Sequence, residues 1–522
     1  MPHAEARKTA ETTLRLVCPA ILTWNNGINQ AISQTERPMN RSRSLTFVLL
    51  LLVGPLASAE LKVANVFGDH MVLQQEMPIR VWGWAAPGAT VQVNLTDLRN
   101  AAATKLQADD DGKWSVELPP RKAEGKTLQL QVVSGEEKIG FNDIMVGEVW
   151  ICSGQSNMEW RLKQAANAQQ EIASANHPTI RFFDVPRHVK QNEPQQDAQK
   201  SDWKVCSSDT IGEFSAVGFF FGRELSREVN VPIGLVGTNW GGQRIEPFTP
   251  PVGFEQVPQL ADYVADLKQG KFKGGATQIY NGMVAGLTPL SVRGAIWYQG
   301  ESNVGDGLRY NYLTEALVKG WRSVFQNDDL SFYWVQLADF GRGHSGQPAG
   351  GGWGPVREGQ RRALRVSKTG MAVIIDIGAE KDIHPKNKQD VGYRLAQWAL
   401  AKDYGKQVVP SGPLYKSHKI EGGKVRINFD YVGSGLTVAD KGGDFHLEPV
   451  TETPDTEIAE FSVQDKEGNW HWAKATIDGE TVVVWSEGVT EPQNVRYAYD
   501  SYPRVNLYNK EGLPASPFTT AD

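Results

Sequence analysis

The chain of 522 residues carries 54 lysines and arginines against 60 aspartates and glutamates, for a formal net charge of -6 at pH 7. Because it is mildly acidic and has no Lys/Arg run long enough to follow a phosphate backbone, the sequence argues against a nucleic-acid-binding protein. The length predicts about three domains.

The N-terminal part of the chain has the pattern of a secretory signal. Arg41 and Arg43 precede the apolar run Leu45–Leu56, and an Ala-Ser-Ala triplet ends at Ala59. The apolar run is too short to span a bilayer, so the pattern predicts export to the periplasm or the extracellular space without stable membrane insertion.

A signal peptide begins at the initiator methionine, and the methionine just before the basic and apolar segments is Met39. We therefore predict that residues 39–59 are the signal peptide and that residues 1–38 are a mis-assigned upstream extension. The mature protein would then start at Glu60.

Residues 60–145 alternate apolar with polar side chains between turn-forming residues. This alternation is typical of antiparallel strands in a small sandwich, and it predicts an N-terminal β-rich domain. The strands are expected at Ile79–Trp82, Val91–Leu95, Trp114–Leu118 and Leu128–Val132.

Residues 146–408 alternate strand-like with helix-like runs, which predicts an α/β domain whose buried parallel sheet is wrapped by helices. The strands are expected at Val146–Ile151, Pro232–Val236, Gly294–Tyr298, Ser331–Leu337 and Met371–Asp376. The helices are expected at Arg161–Ala175, Ala216–Val229, Tyr312–Phe325, Val356–Val366 and Val391–Leu400. Functional loops should lie at the carboxyl ends of the strands.

Residues 409–522 return to β patterning and predict a C-terminal β-rich region. Its strands are expected at Lys424–Asn428, Ile458–Ser462 and Thr481–Trp485.

A candidate nucleophile, Ser156, lies in the segment Ser153-Gly-Gln-Ser-Asn-Met-Glu-Trp160, where a strand gives way to a helix. At such a turn a hydroxyl projects from the sheet edge, and the backbone N–H of the same residue lies near the positive end of the helix, where it can stabilise an oxyanion. The alternative is a capped turn without a catalytic role, since Ser and Asn favour such positions.

Four segments in order resemble the SGNH hydrolases, in the form carried by bacterial sialate O-acetylesterase-like carbohydrate esterases. They are Ser153–Trp160, Gly237-Thr-Asn-Trp-Gly-Gly-Gln-Arg-Ile-Glu246, Ala295-Ile-Trp-Tyr-Gln-Gly-Glu-Ser-Asn303 and Asp382-Ile-His-Pro-Lys386. The similarity extends into both flanks, at Phe67–Gln75 and Asn506–Ala515. The resemblance implies an SGNH-type α/β sheet wrapped by helices, with flanking β-sandwich-like accessory domains.

The resemblance also implies a site for acyl transfer, with Ser156 as nucleophile and His384 as base. The imidazole needs an acceptor that holds it in one tautomer. Asp382 is the first candidate, because side chains two residues apart on an extended segment point to the same side. The family's usual aspartate stands three residues before the histidine, however, where this chain has Lys381. Glu301 is the rival acid, since related acetylesterases recruit the carboxylate from its block.

The implied oxyanion hole combines backbone and side-chain donors. The candidates are Ser156, Gly241, Gly242, Gln299 and Asn303.

Two further residues are candidates for substrate binding. Trp240 offers a face for sugar stacking, and Arg244 offers a charge for a sialate carboxylate, although it can equally pair with Glu246.

The mature chain has two cysteines, Cys152 and Cys206, and the sequence leaves open whether they are bridged. The nine histidines show no paired helical spacing such as His-Glu-x-x-His, so we predict neither a metal site nor a cofactor.

These observations predict a secreted serine esterase that removes O-acetyl groups from carbohydrates through an acyl-enzyme intermediate. The expected partner is an acetylated glycan: a hemicellulose such as xyloglucan or xylan, or an O-acetylated sialic acid. The alternative is a catalytically inactive carbohydrate-binding protein on an esterase fold. The sequence leaves the oligomeric state open.

Overall fold

The computed structural model describes residues 60–96, 104–186, 190–343, 348, 350–443 and 445–521. The predicted signal peptide and upstream extension lie outside these residues. Within them, no helix combines the length and the apolar character that crossing a membrane requires.

The predicted strands of the N-terminal part are confirmed. The four predicted strands are β3 (Ile79–Trp84), β4 (Thr90–Thr96), β6 (Lys113–Leu118) and β7 (Leu128–Ser134). The structure adds three that were not predicted: β1 (Lys62–Val63), β2 (Val72–Gln74) and β5 (Thr104–Gln107). In β6 the side chains of Trp114, Val116 and Leu118 are buried while those between them are exposed, as a strand with one face on the core requires. Strands β1, β3 and β6 form one antiparallel sheet, and β4 pairs with β5 and β7.

The long strand β8 (Glu137–Gly154) joins this part to the central sheet. Its first half pairs antiparallel with β7, and its second half lies parallel to β2 and to the central strands. The predicted domain boundary between residues 145 and 146 falls inside this strand.

The central sheet adds β9 (Asn176–Asp184), β10 (Lys204–Ser207), β11 (Ile233–Asn239), β12 (Gly294–Tyr298), β13 (Ser331–Gln336) and β14 (Thr369–Val373). The strand order is β10-β9-β11-β8-β12-β13-β14, with β10 antiparallel to β9 and the other neighbours parallel. The predicted parallel strands correspond to β8 and β11–β14. Every residue of β11, β12 and β13 is buried, as expected for strands covered on both faces.

The helices are α1 (Ser156–Glu159), α2 (Ala168–Ala173), α3 (Ala216–Val229), α4 (Pro251–Glu255), α5 (Ala261–Lys268), α6 (Tyr310–Phe325), α7 (Gly354–Arg362) and α8 (Lys388–Lys402). Helix α3 has the predicted bounds, because Ser215 caps its first turn and Asn230 ends it in the left-handed conformation. Helices α6, α7 and α8 each begin two or three residues before the predicted start.

The predicted helix over Arg161–Ala175 is wrong as a continuous element. The segment forms a short 3₁₀ turn, Leu162–Gln164, and then α2. Between them Asn167 adopts a left-handed conformation with φ 55°, which an asparagine tolerates and which interrupts the helical hydrogen bonds.

The C-terminal part is β-rich, as predicted. Its strands are β15 (Leu414–Glu421), β16 (Lys424–Asp430), β17 (Leu436–Asp440), β18 (Thr451–Glu452), β19 (Phe461–Gln464), β20 (Trp470–Trp472), β21 (Lys474–Asp478), β22 (Thr481–Trp485), β23 (Asn494–Tyr497), β24 (Leu507–Asn509) and β25 (Phe518–Thr519). They form three sheets around a second apolar core, separate from the core that runs from Leu61 to Leu414. The fold is therefore a mixed α/β structure with several sheets.

Candidate active site

The predicted nucleophile and base lie in direct contact. Ser156 is the first residue of α1, immediately beyond the carboxyl end of β8, and the N–H of Gln155 before it donates to the Tyr298 carbonyl at the end of β12 (2.9 Å). His384 lies in the loop between β14 and α8, and its Nε2 is 3.0 Å from Ser156 Oγ. This separation permits proton transfer from the hydroxyl to the imidazole.

Of the two candidate acids, Asp382 approaches the imidazole. Its Oδ1 is 3.6 Å from His384 Nδ1 and accepts the His384 backbone N–H at 2.9 Å. The first distance is too long for a hydrogen bond but keeps the carboxylate charge beside the ring. Glu301 instead accepts a hydrogen bond from Asn157 Nδ2 at 2.5 Å.

The imidazole is stacked on an indole that sequence reasoning did not single out. The rings of His384 and Trp160 have centroids 4.8 Å apart and are inclined by 18°. Trp160 ends the first family block, so the motif contained the signal. Tryptophan is also often a core residue, however, and the motif alone did not distinguish the two roles.

A second missed residue is Lys388, whose side chain is fully buried. Helix α8 begins at this residue because the Asn387 side chain caps it, accepting the Asp390 N–H at 3.0 Å. Lys388 Nζ donates to Asn157 Oδ1 at 2.5 Å, so one amide contacts both the lysine and Glu301.

Burial dominates the protonation of these groups. It lowers the pKa of His384, and the charge of Lys388 lowers it further, while Asp382 acts in the opposite direction. Burial also lowers the pKa of Lys388 to about 7, against the attraction of Glu301 and Asp382, and it raises the pKa of the Glu301 carboxyl. The result for catalysis is a neutral imidazole, the form that accepts a proton from serine.

The glycine turn after β11 lies against the nucleophile. A Cβ placed on Gly241 would be 3.4 Å from Ser156 Cβ, so the absence of a side chain brings this backbone close to the reacting hydroxyl. The Gly241 N–H donates to Glu159 Oε2 at 2.5 Å. Gly242 follows with φ 72°, the left-handed conformation that favours glycine.

The two candidate side-chain amides of the oxyanion hole belong to a buried network. Gln299 Nε2 donates to Asn303 Oδ1 at 2.7 Å and to Gln155 Oε1 at 3.0 Å. Asn303 Nδ2 donates to Asp306 Oδ2 at 2.9 Å and to Glu246 Oε2 at 3.1 Å. To serve an oxyanion, either amide would have to leave these acceptors.

The candidate substrate-binding residues differ in what surrounds them. Arg244 Nη2 lies 2.7 Å from Glu246 Oε1 and 2.6 Å from Asp306 Oδ2, so two carboxylates neutralise its charge. Trp240 is half-buried, its backbone N–H donates to the Gly154 carbonyl at 2.9 Å, and Lys190 Nζ lies 5.2 Å from the centroid of its ring.

The two cysteines of the described chain, Cys152 and Cys206, are buried free thiols. Nowhere in the described ranges do three or more His, Cys, Asp or Glu side chains come together in a way that could hold a metal ion.

Comparison with known proteins identifies the family. Residues 146–401 match the family model described as "carbohydrate esterase, sialic acid-specific acetylesterase". The chain is 30% identical over 423 residues to the sialate O-acetylesterase of Homo sapiens, covering 74% of this chain and 80% of that protein. The chain belongs to this acetylesterase family.

Two further relatives of this acetylesterase extend the similarity to most of the chain. The sialate O-acetylesterase of Pongo abelii is 29% identical over 516 residues, with 91% of this chain and 95% of that protein covered. A crystal structure of a carbohydrate acetylesterase from Xanthomonas citri is 36% identical, covers 88% of this chain and 99% of its own, and superposes with a TM-score of 0.78.

The family assignment confirms the predicted resemblance to sialate O-acetylesterase-like carbohydrate esterases and the predicted enzyme class. This acetylesterase is a carbohydrate O-acetylesterase. The family match spans β8 to α8 and contains every candidate site residue.

Proposed function

We propose that this protein is an exported serine esterase that removes acetyl groups from glycan hydroxyls through an acyl-enzyme intermediate. The observation that carries the proposal is the 3.0 Å contact between Ser156 Oγ and His384 Nε2. An unperturbed serine hydroxyl is a weak nucleophile, and an adjacent neutral imidazole supplies the base that it needs.

In the first half of the reaction Ser156 Oγ attacks the acetyl carbonyl carbon while His384 Nε2 accepts the hydroxyl proton. The resulting tetrahedral intermediate collapses when the bond from carbon to the sugar oxygen breaks. His384 returns the proton to that oxygen, so the sugar leaves as an alcohol and the acetyl group remains on Ser156. Asp382 stabilises the imidazolium that forms in between.

In the second half a water molecule takes the place of the sugar. His384 removes a proton from the water, the oxygen attacks the acetyl carbonyl, and acetate leaves when Ser156 regains its proton. All proton transfers therefore pass through His384 Nε2.

We assign the oxyanion hole to the backbone N–H groups of Ser156, Gly241 and Gly242, because the glycine turn lies against the side chain of Ser156. The Gly241 N–H donates to Glu159 in this structure. An oxyanion that binds there would replace the Glu159 carboxylate as acceptor.

For the substrate we propose a neutral acetylated hemicellulose, such as xyloglucan or xylan. Arg244 is paired with two carboxylates, so its charge is already satisfied and a sialate carboxylate would gain little from it. The second candidate is O-acetylated sialic acid, which the names of the curated relatives favour.

We also infer an SGNH-type core with accessory β-sandwich-like domains. The proposed limits are 60–145 and 409–522 for the accessory domains and 146–408 for the esterase domain. A parallel sheet packed against α3 and α8 supports the core, and the separate apolar core of the C-terminal strands supports an accessory domain there.

The nucleophile is tested by Ser156→Ala. We expect kcat on p-nitrophenyl acetate to fall by about three decades or more, with an unchanged circular dichroism spectrum, because the hydroxyl forms the acyl intermediate. A serine-directed fluorophosphonate should label Ser156 in the unmodified protein. Labelling of another serine, together with an active alanine variant, would refute the assignment.

The glycan is tested by mass spectrometry of acetylated xyloglucan, acetylated xylan and O-acetylated sialosides after incubation with the enzyme. Each hydrolysed ester replaces an acetyl group by a hydrogen atom, and the mass of the glycan falls accordingly. If Glu246 and Asp306 neutralise the charge of Arg244, this loss of mass should occur first on the neutral polysaccharides. Preferential deacetylation of the sialosides would favour the second candidate.

A further inference from the structure

A buried lysine lies close to the catalytic pair, in a place that the proposed reaction does not use. Lys388 is fully buried, and its Nζ lies over two aromatic rings, 5.1 Å from the centroid of Tyr298 and 5.8 Å from that of Trp160. Its hydrogen-bond acceptor is Asn157 Oδ1, at 2.5 Å. Burial of a cation is costly unless a counter-charge and hydrogen bonds compensate it.

The counter-charge is Glu301, on the far side of the same amide. Asn157 Nδ2 donates to Glu301 Oε1 at 2.5 Å, while Glu301 Oε2 is buried without a hydrogen-bond partner among the residues that the structure describes. The amide accepts from the cation and donates to the anion, so each charge strengthens the other's hydrogen bond. Lysine, asparagine and glutamate thus form one unit with no net charge.

This unit holds together the two segments that carry the catalytic side chains. Asn157 directly follows Ser156, and its Nδ2 also donates to the carbonyl of Ile383 at 3.0 Å. Ile383 directly precedes His384. One side chain therefore connects the neighbour of the nucleophile to the neighbour of the base.

We propose that Lys388 is a positioning residue for the Ser156–His384 pair, that it acts by fixing the Asn157 amide, and that Glu301 serves as its counter-charge rather than as the acid that orients the imidazole. This inference rests on the proposed function, because it takes Ser156 and His384 as the reacting pair. It assigns a role to the rival acid that differs from the one predicted from sequence.

The electrostatics agree with this geometry. The positive charge of Lys388 opposes protonation of His384, whereas Asp382 favours it, and these are the charged groups that bear on the imidazole. The charged groups that bear on Lys388 are Glu301 and Asp382. Loss of the lysine charge should therefore make His384 easier to protonate.

The test is a double-mutant cycle of Lys388→Met, Glu301→Gln and the double variant, assayed for kcat on p-nitrophenyl acetate. Each single change leaves one buried charge without its counter-charge and should lower kcat, by about 100-fold for Lys388→Met, through displacement of the reacting groups. The double change removes both charges together. We expect the double variant to be more active than the product of the two single effects predicts.

The acid limb of the pH profile of kcat/KM provides a second readout, and a purely structural role of Lys388 would leave it unchanged. In Lys388→Met it should shift to higher pH, because the cation that opposes protonation of His384 is gone. The matched control is Arg322→Met, which removes another buried cation. Arg322 hydrogen-bonds the carbonyls of Leu330 and Ser367, near the amino ends of β13 and β14, and its loss should leave the acid limb in place.

Two outcomes would overturn the inference. If the single effects multiply, the two charges are independent. If Glu301→Gln alone loses about four decades of kcat while Lys388→Met retains the wild-type rate and pH profile, Glu301 is the orienting acid.

If Lys388→Met does not fold, Lys388→Arg takes its place. Arginine keeps the charge but replaces the compact ammonium by a planar fork, so kcat should fall while the acid limb stays at its wild-type position. An unchanged kcat would contradict the positioning role. Fluorophosphonate labelling of Ser156 separates a failure of the proposed function from a failure of this inference. If Ser156 is not labelled, the proposed function fails. If Ser156 is labelled and the Lys388 variant is fully active, only the positioning role of Lys388 is refuted.

Discussion

At the scale of single residues, the proposed reactivity of Ser156 depends on the protonation state of His384. The ring is about one quarter exposed, with 27% of the side chain accessible, and its neighbours bias it toward the neutral form. Trp160 fixes the plane of the ring, while Lys388 and Asp382 act on its charge in opposite directions. The geometry thus provides a base that is neutral and already oriented.

A pH prediction follows from the lowered pKa of His384. Catalysis requires the neutral imidazole, so activity is lost when pH falls through the pKa of this residue. Because that pKa lies below its ordinary value of 6.5, the acid limb of kcat/KM should lie below pH 6.5. The measurement is the pH profile on a small acetate ester, with circular dichroism at each pH to confirm folding. An acid limb at or above 6.5 would contradict the electrostatic account.

The Asp382→Asn variant tests the orienting acid. We expect kcat to fall by up to about 10⁴-fold with little change in KM, because the amide neither stabilises an imidazolium nor selects the productive tautomer. Asp430→Asn is the matched control, since Asp430 is likewise a partly exposed aspartate beside a basic side chain, Lys416, but lies on β16 in the C-terminal sheets. A near-wild-type Asp382→Asn would show that another group orients His384.

At the scale of elements, the parallel order of the central sheet assembles the site. Strands β8, β11 and β12 are hydrogen-bonded neighbours, so the loops at their carboxyl ends meet at one edge. The nucleophile, the glycine turn and the Gln299–Asn303 segment follow these three strands in turn. His384 reaches the same edge from the loop beyond β14.

Two strands of this sheet bury their cysteines, which gives a chemical prediction. Burial raises the pKa of Cys206 on β10 to about 12 and raises that of Cys152 on β8 as well. Since the thiolate is the reactive form, neither cysteine should react with Ellman's reagent in the native mature protein, and both should react after denaturation. Fewer than two thiols after denaturation would indicate a disulfide.

At the scale of the whole molecule, one arginine joins the central sheet to the C-terminal strands. Arg357 on α7 is fully buried and donates to the carbonyls of Leu337 (2.9 Å), Asp500 (2.5 Å) and Ser501 (2.9 Å). Leu337 directly follows β13. The guanidinium therefore satisfies buried carbonyls from both parts of the chain at once.

Arg357→Met should lower the free energy of unfolding by about 3 kcal/mol, because the apolar side chain leaves these carbonyls without donors. Denaturant unfolding followed by tryptophan fluorescence measures the change. Arg361→Met, on the same helix, is the control: Arg361 pairs with Glu358 and should cost less, since its side chain is partly exposed. Equal losses for the two variants would show that the link through Arg357 contributes nothing specific.

Export concerns the chain as a whole. The basic, apolar and Ala-x-Ala segments predict cleavage after Ala59, and the first strand of the fold, β1, begins at Lys62. Intact mass and N-terminal sequencing of the exported protein should therefore give Glu60 as the first residue. Retention of the Met1 segment in the exported form would refute both the cleavage site and the assignment of Met39 as initiator.

Sequence alone determined those features that short stretches of chain encode. The helical spacing of α3 predicted this helix because burial on one face leaves a period, and the continuous apolar runs of β11–β14 predicted strands because these are buried on both faces. The blocks around Ser156 and His384 predicted the nucleophile and the base, and the structure brings these two side chains within 3.0 Å of each other. Strands β9 and β10 were not predicted, since their mixed composition shows neither a continuous apolar run nor a regular alternation.

Tertiary structure alone decided which of these residues meet. Asn157 and Lys388 are 231 residues apart, and no local pattern records that their side chains share a hydrogen bond. The same holds for the two acids: sequence favoured Asp382 over the rival Glu301 without excluding either, and their neighbours in space distinguish them. A hydrophobic period reports which face of an element is buried, whereas the partner that a buried polar group finds depends on how distant elements pack.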